Sequence, residues 1–216
     1  MEKTKCVEYR GIRDVVAAKV ITDTTEKFEC DTPFSVCWTS ELSRETANSS
    51  ETHYYDNVPA SVIDSTGADT VGVNTSAMTN EVIAKLTGQY YDEELDMLVE
   101  GEREADYYAL GYVTETTDGE EMLVWRHKGK FGIPSSTHGT KDDGTGANGQ
   151  ELTYTGIMTV HKFAKSGKAS RALNLPKSKC PMTEEEFFAT VQTVDTIETA
   201  KAAKANANSG EEQPAG

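Results

Sequence analysis

The residues that most often carry chemistry are present but badly spaced for it. The four histidines, His53, His127, His138 and His161, show neither an H-E-x-x-H arrangement nor a pair positioned to bring two imidazoles to one metal ion. Cysteines stand at 6, 30, 37 and 180, with no two-residue spacing of the kind a zinc knuckle or dithiol redox motif requires. Four free thiols in a reducing setting are expected. No serine occupies a G-x-S-x-G elbow, and no cysteine has the local signature of a thiol nucleophile. Gly144-Thr145-Gly146-Ala147-Asn148-Gly149 has dinucleotide-fingerprint spacing, but that mechanism needs a preceding strand and a following helix to present its N-terminus to pyrophosphate. Here Lys141-Asp142-Asp143 precedes and an alternating run, Glu151–Val160, follows, so a long mobile loop over about 134–150 is expected instead. Asp142-Asp143-Gly144 lacks the regular oxygen ligands of a calcium loop. The many acids of 92–106 lie in a polar stretch, as surface carboxylates do, rather than as a general acid–base pair. No enzyme, cofactor or metal is expected.

Charge sets the next limits. Thirty-six acidic side chains oppose twenty-one basic ones over 216 residues, a formal net charge of −15. Nucleic-acid binders gather Lys and Arg to displace phosphate counterions, so this balance excludes sequence-specific DNA binding. No run of apolar residues is long enough for a membrane-spanning helix, and MEKTKCVEYRG has no apolar signal-peptide core. The length suits one generous domain, expected over 1–198, with a polar C-terminal tail over 199–216 whose Ala, Asn, Gly, Glu and Pro include no large apolar residue. The sign of the charge varies along the chain. Twelve acids and one base lie between Asp92 and Glu121, and six bases and no acid between His161 and Lys179. Such blocks are either solvated surface or halves of a contact between copies, with Lys162, Lys165 and Lys168 facing Glu93, Glu94 and Asp96.

The elements that must position these residues read mainly as strands, because the dominant period is two. Phe34, Val36, Trp38, Ser40 and Leu42 alternate with Ser35, Cys37, Thr39 and Glu41. Leu152, Tyr154, Met158 and Val160 alternate with Thr153, Thr155 and Thr159. Tyr108, Leu110 and Tyr112 precede Asp118-Gly119, and Leu123, Trp125 and Phe131 follow on one face opposite Arg126, Lys128 and Lys130. This pattern predicts a hairpin over 106–131. Weaker strands are expected at 5–10, 14–22, 54–63 and 68–75, and a polar, turnless loop over Glu41–Asp56. One helix is expected over about 79–88, capped by Thr79 or Ser76 and closed by Gly88. A second begins at Thr183 with Glu186 completing a capping box, while Thr190–Ile197 reads as helix or edge strand. The fold class is mainly β, with the helix packed on a sheet.

Several of these segments, in order, resemble the major tail (tail tube) proteins of long-tailed siphophages and prophages of Gram-positive bacteria. The resemblance rests on Glu81-Val-Ile-Ala-Lys-Leu-Thr-Gly88, the acidic linker Asp92–Glu100, Tyr108-Ala-Leu-Gly-Tyr112, the Asp118-Gly119 hairpin, Val124–Phe131 and Leu152-Thr-Tyr-Thr-Gly156. It spans roughly 5–195 and is strongest over 79–160. It implies a β-sandwich or barrel-like domain flanked by a helix, six copies in a ring with strands lining a central barrel, and rings stacked into a tube. The implied tube surrounds a tape-measure protein, meets other tail proteins at its ends, and passes phage DNA without specific binding. The implied location is the virion tail, assembled in the bacterial host cytoplasm, with no membrane. On this reading Arg44, Glu45, Asn48, Glu51 and His53 contact the next ring, and Ser35, Thr39, Glu41, Thr153, Thr155 and Thr159 face the bore. The rival reading is a carbohydrate- or receptor-binding β-sandwich of a virion, with Tyr54, Tyr55, Tyr90 and Tyr91 as stacking platforms.

Overall fold

Val71 and Val73 alternate with Thr70, Gly72 and Asn74, and Leu152 and Tyr154 alternate with Thr153 and Thr155. In a pleated strand that pattern puts apolar side chains on one face and polar ones on the other. The computed structural model of the protein, which describes residues 6–140 and 148–209 with side chains through 206, builds a mainly β fold on this pattern. The strands are β1 (Tyr9–Asp23), β2 (Phe28–Cys30), β3 (Phe34–Ser35), β4 (Thr39–Tyr55), β5 (Val58–Thr75), β6 (Tyr90–Asp92) and β7 (Met97–Val99). They continue as β8 (Tyr108–Thr116), β9 (Glu121–Phe131), β10 (Ser135–Ser136), β11 (Gln150–Gly156), β12 (Lys162–Phe163), β13 (Lys168–Ala169) and β14 (Ala172–Pro176). Three helices, α1 (Asn80–Thr87), α2 (Glu184–Ala189) and α3 (Val194–Ser209), accompany them.

One antiparallel sheet runs β2-β1-β8-β9-β11-β5-β4, with β3, β10 and β14 paired to its members. It curls until β4 packs back against β1. The concave side is filled by Val15, Val71, Val73, Leu110, Tyr112, Phe131, Leu152 and Tyr154, and Ile83 and Leu86 of α1 pack into the same core. Thr79 caps α1, its hydroxyl accepting from the Val82 N–H, and Gly88 closes it at φ 74°. Any Cβ on Gly88 would lie 2.1 Å from the Glu104 carbonyl oxygen, so glycine is required there twice over. A second core forms on the convex side of β1, β8 and β9, where Trp125, Leu123 and Val113 pack against Phe187 of α2. Thr183 and Glu186 form the expected capping box. With a layer on each side, Tyr108 through Val113 are all buried.

The β8–β9 hairpin turns at Gly119, φ 83°, as the Asp-Gly pair predicts. Its two faces differ from the period-two expectation. Tyr108 pairs with Gly129 but Leu110 with Arg126, so β9 carries one extra residue between these rungs. That bulge flips the alternation. Leu123 and Trp125 therefore enter the convex core while Phe131 enters the concave one, and Arg126, expected on a polar face, is buried at 2% exposure.

The expected loop over Glu41–Asp56 is instead the strand β4, paired with β5 over nearly its full length. The turn that makes this possible is Asp56-Asn57, both at positive φ (52° and 62°), the conformation of a two-residue primed hairpin turn. The strand expected at 54–63 thus contains the turn itself. The run from Phe34 to Leu42 is likewise broken between Ser35 and Thr39, which buries Val36 and leaves Trp38 87% exposed. β11 stops at Gly156, so Met158 and Val160 are exposed and Thr159 is buried, the reverse of the alternation. Past Thr190 the chain is helical rather than an edge strand, and α3 covers the first part of the expected tail. Thr193 and Thr196 exchange hydroxyl–amide hydrogen bonds at its start. Ala and Lys are strong helix formers even where they build no core. Of the expected 134–150 loop, Ser135–Ser136 pairs with β11, while 141–147, including most of the glycine-rich run, lies outside the described residues.

Candidate functional site

The curled sheet has one half without a covering layer on its convex side. Antiparallel partners share a face, so Glu151, Thr153 and Thr155 of β11 align with Asn74, Gly72 and Thr70 of β5. These in turn align with Glu41, Ser43 and Glu45 of β4. All are exposed or half-exposed, while the other side of the same strands is the concave core. The resulting surface carries short hydroxyls and carboxylates, with Lys130 at its β9 border opposite Thr155. Asn74 donates to the Glu41 carboxylate at 3.1 Å, and Gly72 gives the Ser43 hydroxyl room that a Cβ would fill at 2.8 Å.

Beyond this face the β4–β5 pair leaves the body of the protein. Thr46 pairs with Asp69 and Asn48 with Thr66, so Gly67 and Ala68 bulge opposite Ala47 and mark the base of a two-stranded arm. Along the arm Tyr54, Tyr55, Val58, Val62 and Ile63 are exposed, with Tyr54 at 66%. Isolated two-stranded ribbons are marginal in water, and a long edge with exposed apolar groups invites pairing.

A buried ionic cluster fixes the base of the arm. Asp69, 2% exposed, receives Arg126 at 2.5 Å and Arg171 at 2.8 Å, and the Thr46 hydroxyl at 2.8 Å. Arg44 stands 4.0 Å away, and Arg171 also donates to the Gly67 carbonyl. Burial pushes the Asp69 carboxyl up, but the Thr46 and Arg126 hydrogen bonds outweigh it and hold the group below its ordinary range. Three guanidinium groups share one carboxylate, and the Nε atoms of Arg126 and Arg171 are buried with no hydrogen-bond partner.

The residues nominated from sequence fall into separate places. Glu41, Thr153 and Thr155 do share the bare face. Ser35 is exposed on β3, which pairs with β1, away from them. Thr39 is half-buried beside Cys37, and Thr159 is 4% exposed, accepting from the Ser170 N–H and donating to the His161 carbonyl. Thr159 therefore faces no bore, because β11 ends before it. Glu45 joins the bare face; Asn48, Glu51 and His53 lie on the arm; Arg44 turns inward to Asp69. Thr70, Asn74 and Glu151 were missed, although the Val71/Val73 alternation that exposes Thr70 and Asn74 is plain in the sequence.

The charge blocks, expected to meet between copies, touch within one chain at Lys177 and Glu121. Lys177 bridges Glu121 and Glu184, which Arg13 also holds, and this pairing lowers the Glu184 carboxyl to about 2. Lys165 pairs with Glu198 at 2.9 Å. Lys162 and Lys168 are exposed on the β12–β13 hairpin, and Glu93, Glu94 and Asp96 are exposed at the β6–β7 turn.

Burial pushes the Cys30 thiol up to about 12, well away from a thiolate nucleophile. The described residues contain no grouping of three His, Cys, Asp or Glu side chains able to hold a metal ion, and no helix long and apolar enough to cross a membrane. No protein-family model matches the chain, and neither does any curated protein.

Proposed function

We propose that the chain is a self-assembling structural protein of a phage tail, forming hexameric rings that stack into the tube through which DNA is ejected. The observation that carries this reading is the β4–β5 pair. It leaves a bare hydroxyl- and carboxylate-lined sheet and runs on as an arm that its own chain does not cover. A neighbouring copy laid along the arm would bury Tyr54, Val62 and Ile63 and occupy the open edge of β4. The bare face suits a bore. Short hydroxyls and carboxylates neither stack on bases nor pair with phosphate, so DNA would slide past them. Copies related by a rotation that closes form rings, and their stacking gives a filament. The resemblance over 79–160 points the same way and adds a tape-measure protein inside the tube, other tail proteins at its ends, and a place in the virion tail.

The exposed Tyr54 and Tyr55 near the arm tip favour one other reading, a module that stacks sugars against aromatic rings. Negative-stain microscopy of the purified protein separates the two. Tubes or stacked rings support the first, whereas monodisperse particles that bind glycans replace it with the second.

A further inference from the structure

At the end of the concave core away from α1, the curled sheet stays open as a groove of about 780 Å³. Its apolar floor includes Ile12, Leu42 and Met122, and its polar wall carries Arg10, Arg44 and Arg126, with Glu41 on the rim. Glu41 is already engaged by Asn74. Arg126 is 2% exposed with an unpartnered Nε, and it shares Asp69 with Arg171 and Arg44. In a chain of net charge −15, this pocket holds a built-in surplus of positive charge. A buried guanidinium without full compensation, flanked by the exposed Arg10 and Arg44, favours an incoming anion, and the apolar floor favours an anion attached to a hydrophobic group.

The chain displays such a group at its opposite end. The β6–β7 turn presents Leu95, 69% exposed, between Glu94 and Asp96, with Glu93 beside them. This tip is held rigidly. Asp92 accepts from the Glu94 and Leu95 N–H groups, Tyr91 donates to Asp96, Asn80 donates to the Asp96 carbonyl, and Leu98 packs on the core. A preordered tip loses little entropy on docking. The hairpin packs on α1, and α1 sits at the Tyr108 end of β8, whose hydroxyl bonds the Lys85 carbonyl. The groove lies at the Thr114 end, six residues or roughly 20 Å along that strand. Tip and groove on opposite ends make a head-to-tail contact that repeats from copy to copy.

We propose that Glu94-Leu95-Asp96 of one copy seats in the arginine-lined groove of the next, with Leu95 on the apolar floor and the flanking carboxylates toward Arg10, Arg44 and Arg126. The contact rests on the self-assembly reading but is distinct from the arm. Its test is sedimentation velocity of the full-length protein, comparing wild type with Glu94→Arg and with Arg10→Glu, both exposed positions, and with the charge-neutral Leu95→Ser. Each variant should associate about tenfold more weakly or worse, added salt should weaken the wild type, and mixing Glu94→Arg with Arg10→Glu should restore association, because a basic tip then meets an acidic groove. Association unchanged in the three variants, or not restored on mixing, overturns the contact while leaving assembly intact. Oligomers that respond to these changes but never build tubes support the contact and remove the tube. A wild type that stays monomeric at high concentration removes both.

Discussion

At the scale of single residues, Asp69 is the side chain on which most depends. It neutralises Arg126 and Arg171 where neither is well solvated and anchors Thr46 at the root of the arm. Asp69→Ala should destabilise the protein by about 3–5 kcal/mol in urea unfolding, since it strands buried guanidinium charge. Arg126 reads in sequence as a solvent-facing base among Lys128 and Lys130, and only the β9 bulge, invisible to a period-two count, turns it inward. His127 beside it is 1% exposed, against the rings of Phe28 and Phe163, with Nε2 at 3.1 Å from the Gln192 carbonyl. Burial lowers its pKa from 6.5 to about 4. The unfolded chain then takes up a proton more readily than the folded one. The stability His127 contributes is complete above about pH 6.5 and is lost as pH falls to 4, a loss of about 3 kcal/mol. The depressed carboxyls of Asp69 and Asp23 act in a lower window, below the ordinary carboxylate range. Urea midpoints at pH 7 and pH 4.5 should therefore differ strongly in wild type and much less in His127→Gln.

At the scale of elements, what was legible followed from local chemistry. Thr79 and Gly88 bound α1, Thr183 and Glu186 open α2, and Asp118-Gly119 turns β8 into β9, each through hydrogen bonds or backbone angles a few residues wide. The β4–β5 arm was not legible, because its first strand carries no large apolar residue from Arg44 to His53 and Asp56-Asn57 is a weaker turn signal than Asn-Gly or Asp-Gly. The bare polar face was half legible. Alternation named Glu41, Thr153 and Thr155, but the pairing of β11 with β5 and β4, which joins them to Thr70 and Asn74, is a long-range fact. Removing Arg44–Ser50 would take away inward-facing Arg44 and Thr46. Replacing Asn48–Thr66 with a two-residue Asn-Gly turn instead spares the Asp69 cluster. That variant should keep its thermal unfolding transition within a few degrees of wild type and yet fail to elongate; normal tubes from it would show that the arm is dispensable.

At the scale of the whole molecule, the sheet divides its labour. The β1-β8-β9 half is covered on both sides and supplies stability, while the β11-β5-β4 half leaves one side bare and runs out into the arm. If that bare side lines a bore, its chemistry governs transit rather than assembly. Thr70→Lys together with Thr155→Lys should leave tails intact in a phage built on this protein but slow genome delivery, because six copies per ring would set a band of ammonium groups against phosphate. Delivery at the normal rate would place the face elsewhere. A cryo-electron microscopy reconstruction of the assembled full-length protein tests the tube most directly. A tail tube built on this fold would show stacked rings with Thr70, Thr155 and Glu45 facing a central channel and the β4–β5 arm lying on a neighbouring copy. A protein that forms no rings, or rings whose Thr70–Thr155 face looks out to solvent, would contradict it.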